Sequence, residues 1–274
     1  MRSLLKFFSL TFIVSWGLWI AADFIQGIAT PEQAGLQAIS GSLYLVGVFA
    51  PGLVALALTA GSDGRRGVSS LLRRTLAGAV EARWYVFALG YMVAIKLVSA
   101  LMLRVATGEW PAFGQESVFL MALAIPLSTP VQAGEEVGWR GYALPRLSQR
   151  LGLSGASVLL GIIWALWHLP FFLMADTDKS GQSFPMYLLS VTAMSVAMAW
   201  LYWRTNQSLL LVMLMHAAVN NTKDIVPSAV SGATDTFSFG ASQVAWLSVA
   251  FLWICAAYFL VRMRGVRLQG SCPG

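Results

Sequence analysis

The chain has 274 residues, of which 57% are hydrophobic and only 11% are charged, and its mean hydropathy is +0.69. This composition excludes a soluble domain with one large core and predicts a polytopic membrane protein. The net charge of +6 could indicate nucleic-acid binding, but the positions of the basic residues point to membrane topology instead.

Eight apolar segments are long enough to cross about 30 Å of hydrocarbon as helices. The fourth is the weakest of them, because Pro126 and Pro130 interrupt it. We therefore predict an all-α fold, a polytopic membrane helix bundle of eight transmembrane helices. The predicted spans cover residues 7–24, 38–60, 84–103, 117–133, 153–175, 185–203, 208–226 and 244–261.

The basic residues cluster on alternate sides of these spans, whereas the intervening loops carry mainly carboxylates such as Glu32, Glu109 and Asp235. Loops rich in Lys and Arg face the cytoplasm. Both termini are therefore predicted to be cytoplasmic, in the inner membrane if the cell is bacterial, and no nucleic-acid partner is expected. The residues that set this pattern are Arg2, Lys6, Arg65, Arg66, Arg73, Arg74, Arg83, Arg140, Arg146, Arg150, Arg204, Arg262, Arg264 and Arg267.

The N-terminal segment has two interpretations. Its charged start and apolar run resemble a signal peptide, with a cleavage region at Ala21 and Ala22. The apolar run is long for a signal peptide, which favours an uncleaved first helix. Trp16 and Trp19 then predict a lipid-facing aromatic anchor.

Three further features lie outside the motifs described below. Residues 67–76 alternate apolar and basic groups and predict a short interfacial helix. Lys96 lies near the middle of the third span, where it could line a cavity, pair with a carboxylate or extend its ammonium group to the interface; the last is favoured. Cys255 and Cys272 indicate neither a disulfide nor a metal cluster.

Glu135, Glu136 and Arg140 place three ionised groups within six positions of an apolar segment. Adjacent helical residues project about 100° apart, whereas residues four apart share a face. This spacing pairs Glu136 with Arg140 and leaves Glu135 to face elsewhere. Because carboxylates in poorly solvated cavities suit general acid–base catalysis, Glu135 is the candidate base. The alternative is a salt-bridged collar at a helix end in the headgroup region.

The only two histidines of the chain, His168 and His216, lie inside apolar segments. His168 shares a helix face with Trp164, and Pro170 is expected to end that helix. His216 shares a face with Asn220. A single intramembrane histidine can be a structural hydrogen-bonding group. Two of them, together with a carboxylate pair on a third helix, favour a functional site.

These motifs resemble those of the CPBP family of intramembrane proteases, which includes type II CAAX prenyl proteases, bacteriocin-processing enzymes and abortive-infection (ABI) domains. The family pattern is Glu-Glu-x3-Arg, then an aromatic residue-x3-His, then His-x3-Asn or Asp, each on its own helix. Residues 135–140, 164–168 and 216–220 match it in order. Trp164 departs from the Phe that is common at its position but keeps an aromatic wall. The resemblance covers residues 117–221.

The resemblance implies hydrolysis of a peptide bond in a membrane-associated substrate, which in type II CAAX enzymes removes the last three residues of a prenylated protein. Glu135 and His168 would activate the attacking water, and His216 and Asn220 would bind the oxyanion. The expected partners are the lipid bilayer and a peptide or lipidated protein. Prenylated tails, bacteriocin leaders and membrane-anchored regulators fit this expectation equally well.

The resemblance also bears on support residues, metal content and domain organisation. Glu136, Arg140 and Trp164 would support the site. Enzymes of this kind are often described as metalloproteases, and the spacing here differs from a helical His-x3-His zinc site, so a reaction without a cofactor is favoured. If Zn²⁺ is required, its ligands would be Glu135, His168 and His216. The implied divisions are residues 1–115, with the N-terminal helices and a basic interfacial segment, residues 116–226, with a protease core on predicted helices four to seven, and residues 227–274, with a C-terminal helix and a cytoplasmic tail.

The predicted spans place Glu135 and His168 at different depths in the membrane. Glu135 lies at the cytoplasmic end of the fourth predicted span, whereas His168 lies about 22 Å along the fifth. The two can meet if the fourth helix continues through Glu135 toward Arg150, or if the fifth begins later. We predict the first, with Pro126 and Pro130 breaking the chain above a water-filled cavity that opens to the cytoplasm.

Two other classes of function compete with a protease. Intramembrane Glu, His, Lys and Asn also form proton relays in transporters, but the sequence has no convincing internal repeat. A non-catalytic scaffold or immunity protein could retain the same fold, but the presence of every motif residue argues against it.

Overall fold

The computed structural model describes residues 2–30, 32–174, 177, 179, 182–227 and 235–268, and these form only helices and their connections. Cys272 lies outside the described residues. The α-helices are α1 (Arg2–Ile28), α2 (Ala34–Arg73), α3 (Ala82–Thr107), α4 (Val118–Ser128), α5 (Ala133–Glu136), α6 (Leu144–Trp167), α7 (Pro170–Leu173), α8 (Phe184–Arg204), α9 (Leu209–Thr222) and α10 (Gln243–Arg262).

Six helical segments in the described part of the chain are long and apolar enough to cross a membrane. The predicted polytopic helical bundle is thus confirmed. One of the six, Val118–Leu173, has 56 residues and combines the fourth and fifth predicted spans. The seventh predicted span is α9, whose 14 residues extend only about 21 Å. It is shorter than predicted, because the helix ends at Thr222 and the charged residues Lys223 and Asp224 follow.

The helical path that contains Glu135 continues from α4 to Leu151, which agrees with the prediction that the fourth helix continues through Glu135 toward Arg150. Between α4 and α5 it tightens into a 3₁₀ turn, Thr129–Gln132, and after α5 it widens into a π-helical turn, Val137–Ala143. Pro130 lies in the first turn of the 3₁₀ segment, where proline is tolerated. The prediction that Pro126 and Pro130 break the chain is therefore wrong, since the path tightens there without ending.

The direction of the chain changes at Gly152, whose φ of 66° and ψ of 166° separate the two parts of α6. This backbone conformation favours glycine. The C-terminal segment supports the bend, because Leu153 N donates to Val266 O at 2.8 Å and Leu268 N donates to Ser148 Oγ at 3.1 Å. The bend allows the second part of α6 to return into the bundle toward His168.

The first two helices form a hairpin that packs behind the His168 segment. Ser15 Oγ donates to Gly47 O at 2.8 Å, and Trp19 Nε1 donates to Tyr44 O at 3.1 Å. Trp19 is buried, with its ring centroid 4.2 Å from that of Phe171. The prediction of a lipid-facing anchor is therefore wrong for Trp19, which packs inside the bundle.

The Glu-Glu-x3-Arg segment lies unusually close to α2. A Cβ atom on Gly138 would lie 2.6 Å from the backbone carbonyl carbon and oxygen of Pro51, and one on Gly52 would lie 2.8 Å from Gly134 O. Small residues of this kind allow helices in membranes to approach closely. The contact holds the charged motif against the N-terminal hairpin.

Serine caps begin three helices in the second half of the chain. Ser183 Oγ accepts from Met186 N at the start of α8, Ser208 Oγ accepts from Leu211 N at the start of α9, and Ser242 Oγ accepts a backbone N–H at the start of α10. Each cap satisfies a backbone donor that the helix cannot satisfy itself. The caps define where the helices that surround the site begin.

Replacing Gly138 by alanine tests the close contact with α2. We expect Gly138→Ala to lower the apparent melting temperature in detergent, because overpacking costs about 1–3 kcal/mol. Gly90→Ala is the matched control, since a Cβ there meets nothing within 4 Å, and it should be neutral or slightly stabilising. Equal melting temperatures for the two variants would contradict the contact.

Candidate active site

A cavity of about 810 Å³ lies between the helices, and the four predicted catalytic residues all line it. They come from three parts of the fold, namely α5, the C-terminal end of α6 and α9. Trp164 lines the same cavity, whereas Glu136 and Arg140 do not. The cavity-lining candidates are Glu135, His168, His216 and Asn220.

The two adjacent glutamates face different surroundings. Glu136 and Arg140 are completely buried, and Arg140 Nη1 donates to Glu136 Oε1 at 2.8 Å and to Oε2 at 3.0 Å. Glu135 faces the cavity, and its Oε2 accepts a hydrogen bond from Trp164 Nε1 at 2.7 Å. The structure thus has the ion pair that the i,i+4 spacing predicts, with the first glutamate directed elsewhere.

His216 extends the buried ion pair into the site. Its Nδ1 lies 2.8 Å from Glu136 Oε1, the oxygen that also accepts from Arg140. Because Glu136 is the acceptor in the ion pair, the ring donates Nδ1–H, and Nε2 is the nitrogen left for chemistry. Sequence reasoning missed this contact. Glu136 and His216 are 80 residues apart, and no local pattern links them.

Trp164 contacts three ionisable side chains, those of Arg140, His216 and Glu135. The Arg140 guanidinium carbon lies 4.2 Å from the centroid of its ring, which is a favourable cation–π distance. The His216 ring meets it edge to face at 5.2 Å. A phenylalanine could make both ring contacts but could not donate to Glu135. The departure from the family pattern therefore adds a hydrogen bond to the candidate base.

His168 lies where α6 ends. Its Nδ1 donates to the carbonyl oxygen of Trp164 at 2.9 Å, and its ring packs edge to face against Trp167 and Tyr187 at 4.7 and 5.5 Å. Pro170 begins α7 two residues later, which agrees with the predicted end of the helix. The carbonyl acceptor sets the tautomer, so Nε2 can accept a proton.

The two adjacent asparagines differ in role. Asn220 is exposed and lines the cavity one helical turn after His216. Asn221 Nδ2 donates to Ser128 Oγ at 3.0 Å and to Ala217 O at 2.8 Å, and so links α9 to α4. Only Asn220 is therefore placed to meet a bound molecule.

Lys96 is a cavity residue that the sequence interpretation placed at the interface. It is only 5% exposed, it lines the same cavity, and its Nζ donates to Val226 O at 3.1 Å. The prediction that its ammonium group reaches the interface is wrong, because the segment after α9 covers the side chain inside the bundle.

The fit of a metal ion can be judged from the donors. Both histidines present Nε2, as metal ligands often do when Nδ1 is hydrogen-bonded. Among the residues that the structure describes, however, no group of three or more His, Cys, Asp or Glu side chains is arranged to hold a metal ion. As placed, Glu135, His168 and His216 do not fit a zinc site. Cys255 is not part of a disulfide.

The fold and the site define a class: a polytopic helical membrane protein with ionisable side chains gathered at a cavity between its helices. Comparison with known proteins shows which family the chain resembles. Residues 115–222 match the model of the Rce1-like family, described as type II CAAX prenyl endopeptidase Rce1-like. The chain is also 25% identical over 237 residues to CAAX prenyl protease 2 of Methanococcus maripaludis, covering 80% of this chain and 83% of the relative.

These findings confirm the family resemblance that the three motifs predict, and the chain is related to the type II CAAX prenyl endopeptidases. The relationship supports an intramembrane protease. The matched segment contains all the predicted site residues, from Glu135 to Asn220.

Removing one partner of the buried ion pair tests its structural role. Arg140→Met leaves Glu136 buried without its counter-ion, so we expect a loss of about 3–5 kcal/mol, measured as a lower melting temperature or a loss of folded protein. The double variant Glu136→Gln with Arg140→Met should regain part of the loss. Arg146→Met is the matched control, because Arg146 is only half-buried. Similar losses of stability in Arg140→Met and Arg146→Met would contradict a structural role for the buried Glu136–Arg140 pair.

Proposed function

We propose that this protein is an intramembrane endopeptidase that hydrolyses a peptide bond of a membrane-associated substrate by CAAX-type C-terminal processing. The observation that carries the proposal is that Glu135, His168, His216 and Asn220, from three parts of the fold, line one cavity. The family relationship supports a protease, and the geometry supports a role for each residue.

In this proposal Glu135 and His168 activate a water molecule. Trp164 holds Oε2 of Glu135, so Oε1 is the oxygen that accepts a proton from the water. His168 Nε2 accepts a second hydrogen bond from the same water and orients it. The hydroxide attacks the carbonyl carbon, the C–N bond breaks, and the proton on Glu135 passes to the leaving amine.

His216 and Asn220 stabilise the oxyanion of the tetrahedral intermediate. For His216 to donate from Nε2 while Nδ1–H is bound to Glu136, its ring must carry both protons. The Glu136 carboxylate is placed to balance that charge. The Asn220 amide supplies a second donor one turn along α9. Donors placed in advance around a developing negative charge are a large source of catalysis.

The cavity walls suit an apolar, variable substrate. Four methionines line the cavity, and methionine adapts its shape to different apolar groups. A lipidated or apolar C-terminal segment fits such a wall. The residues that supply it are Met92, Met186, Met194 and Met198.

The proposed orientation places both termini in the cytoplasm, in the inner membrane if the cell is bacterial. It rests on the basic residues at both ends of the chain and between α2 and α3. With this orientation the helix ends that line the cavity would lie on the side opposite the termini, because Ser183 and Ala245 are at the starts of α8 and α10 and Lys223 follows the end of α9.

The direct test is cleavage of a panel of prenylated and unprenylated peptides by the purified protein in liposomes. We expect the wild type to cleave, and Glu135→Ala and His168→Ala each to lose more than about a hundredfold in activity. Glu32→Ala, which removes an exposed carboxylate outside the cavity, should retain activity. A chelator should leave the rate unchanged if Glu135 activates the water without a metal.

The contrary outcomes separate the alternatives. Loss of activity with the chelator and recovery with Zn²⁺ would contradict the metal-free mechanism and indicate a metalloprotease. Cleavage that survives Glu135→Ala would show that another group is the base. A folded wild type that is inert on every peptide would favour a non-catalytic scaffold.

A further inference from the structure

We propose that the segment that follows the membrane-spanning part of α2 binds an anionic phospholipid, whose phosphate is held between Arg65 and Arg73. The site is a groove of about 660 Å³ that shares no lining residue with the cavity of the candidate active site. The inference adds a second binding site to the protein, and it does not depend on the proposed protease activity.

The groove begins where α2 changes direction. Together with the 3₁₀ turn Arg74–Leu76, α2 has 43 residues, whereas about 20 are enough to cross the hydrocarbon core. Gly64 divides it, with a φ of 61° and a ψ of −159°, a conformation that favours glycine. Residues 65–76, the interfacial segment, therefore form a short helical stretch beyond the span, where amphipathic helices lie in the membrane interface.

The inner side of the interfacial segment packs on the rest of the bundle. Leu71 is buried, and a Cβ atom on Gly141 would lie 2.7 Å from its Cδ1, so the segment contacts the π-helical turn of the Glu-Glu-x3-Arg motif. Arg74 Nη1 donates to Tyr202 OH at 3.0 Å, which ties the segment to the end of α8. Neither Leu71 nor Arg74 lines the groove, which lies on the exposed side of the segment.

The charge of the groove is positive. Arg65 and Arg73 both line it, and both are exposed. In the described part of the chain neither guanidinium group forms an ion pair with a carboxylate, and no carboxylate lines the groove. Asp63, the acidic residue nearest to Arg65 in the sequence, instead packs against Gly67. Two guanidinium groups beside the hydroxyl of Ser69 are donors that suit the oxygens of a phosphate.

Two leucines favour a lipid over a soluble anion. Leu72 and Leu76 line the groove beside the arginines, and they are 42% and 82% exposed. A free phosphate would leave both side chains in water, whereas the glycerol and acyl chains of a phospholipid would cover them. Basic clusters next to a membrane span attract anionic lipids. The volume of the groove is also within the range of ligand-binding clefts.

The test compares melting temperatures of the full-length protein in mixed micelles that contain phosphatidylglycerol or phosphatidylcholine. For the wild type we expect phosphatidylglycerol to raise the apparent melting temperature by about 3–8 °C relative to phosphatidylcholine, because a ligand that binds the folded state stabilises it. The double variant Arg65→Gln with Arg73→Gln should lose most of this difference. Arg262→Gln with Arg267→Gln is the matched control, since it removes the same charge from two exposed arginines outside the groove, and it should keep the difference.

Three outcomes would overturn the inference. The first is an equal effect of the two lipids on the wild type. The second is a difference that both double variants keep or lose equally, which would assign the effect to the overall charge of the protein. The third is stabilisation by inorganic phosphate to the same extent as by phosphatidylglycerol, which would assign the groove to a soluble anion.

The design also covers a variant that does not fold. In that case Arg65→Gln and Arg73→Gln are measured singly, and each should lose part of the difference, because each removes one of the two guanidinium groups that hold the phosphate. Full retention of the difference in both single variants would overturn the inference. None of these measurements uses cleavage, so a wild type that cleaves no peptide would contradict the proposed function and leave this inference standing.

Discussion

Glu136 and Arg140 are completely buried in a protein of which only 11% of the residues are charged, and the site depends on their ion pair. Taking two charges out of water is costly, and a well-packed apolar pair would often be at least as stable. The value of the pair therefore lies in what it positions. Glu136 Oε1 accepts from both Arg140 and His216, so one carboxylate oxygen links the motif segment to α9.

The same pair also separates the roles of the two adjacent glutamates. Because Glu136 turns toward Arg140, Glu135 turns toward the cavity and meets the indole N–H of Trp164. Arg140 packs over the Trp164 ring, and the carbonyl oxygen of Trp164 accepts from His168. The residues of all three motifs are thus joined through the buried pair and one tryptophan. The close packing of Gly138 on Pro51 fixes this group against the N-terminal hairpin.

Local spacing predicted a large part of this arrangement. The i,i+4 rule gave the Glu136–Arg140 pair, the length of the apolar runs gave the helical bundle, and the conflict of depths gave a helix that continues through Glu135. The bond between His216 and Glu136 could not be predicted, because it joins residues 80 positions apart. The bend at Gly152 depends on hydrogen bonds to the C-terminal segment. Lys96 was placed at the interface because hydropathy does not show that the segment after α9 covers it.

The central claim is that Glu135 performs chemistry whereas Glu136 maintains the architecture. The most direct measurement compares the cleavage rate and the melting temperature of Glu135→Gln and Glu136→Gln in the same detergent. Glu135→Gln should melt like the wild type, because the amide oxygen can still accept from Trp164, and should lose more than about a hundredfold in kcat. Glu136→Gln should melt at a lower temperature, because Arg140 loses its counter-ion. If Glu135→Gln retains full activity, or if both variants lose stability equally, the account is contradicted.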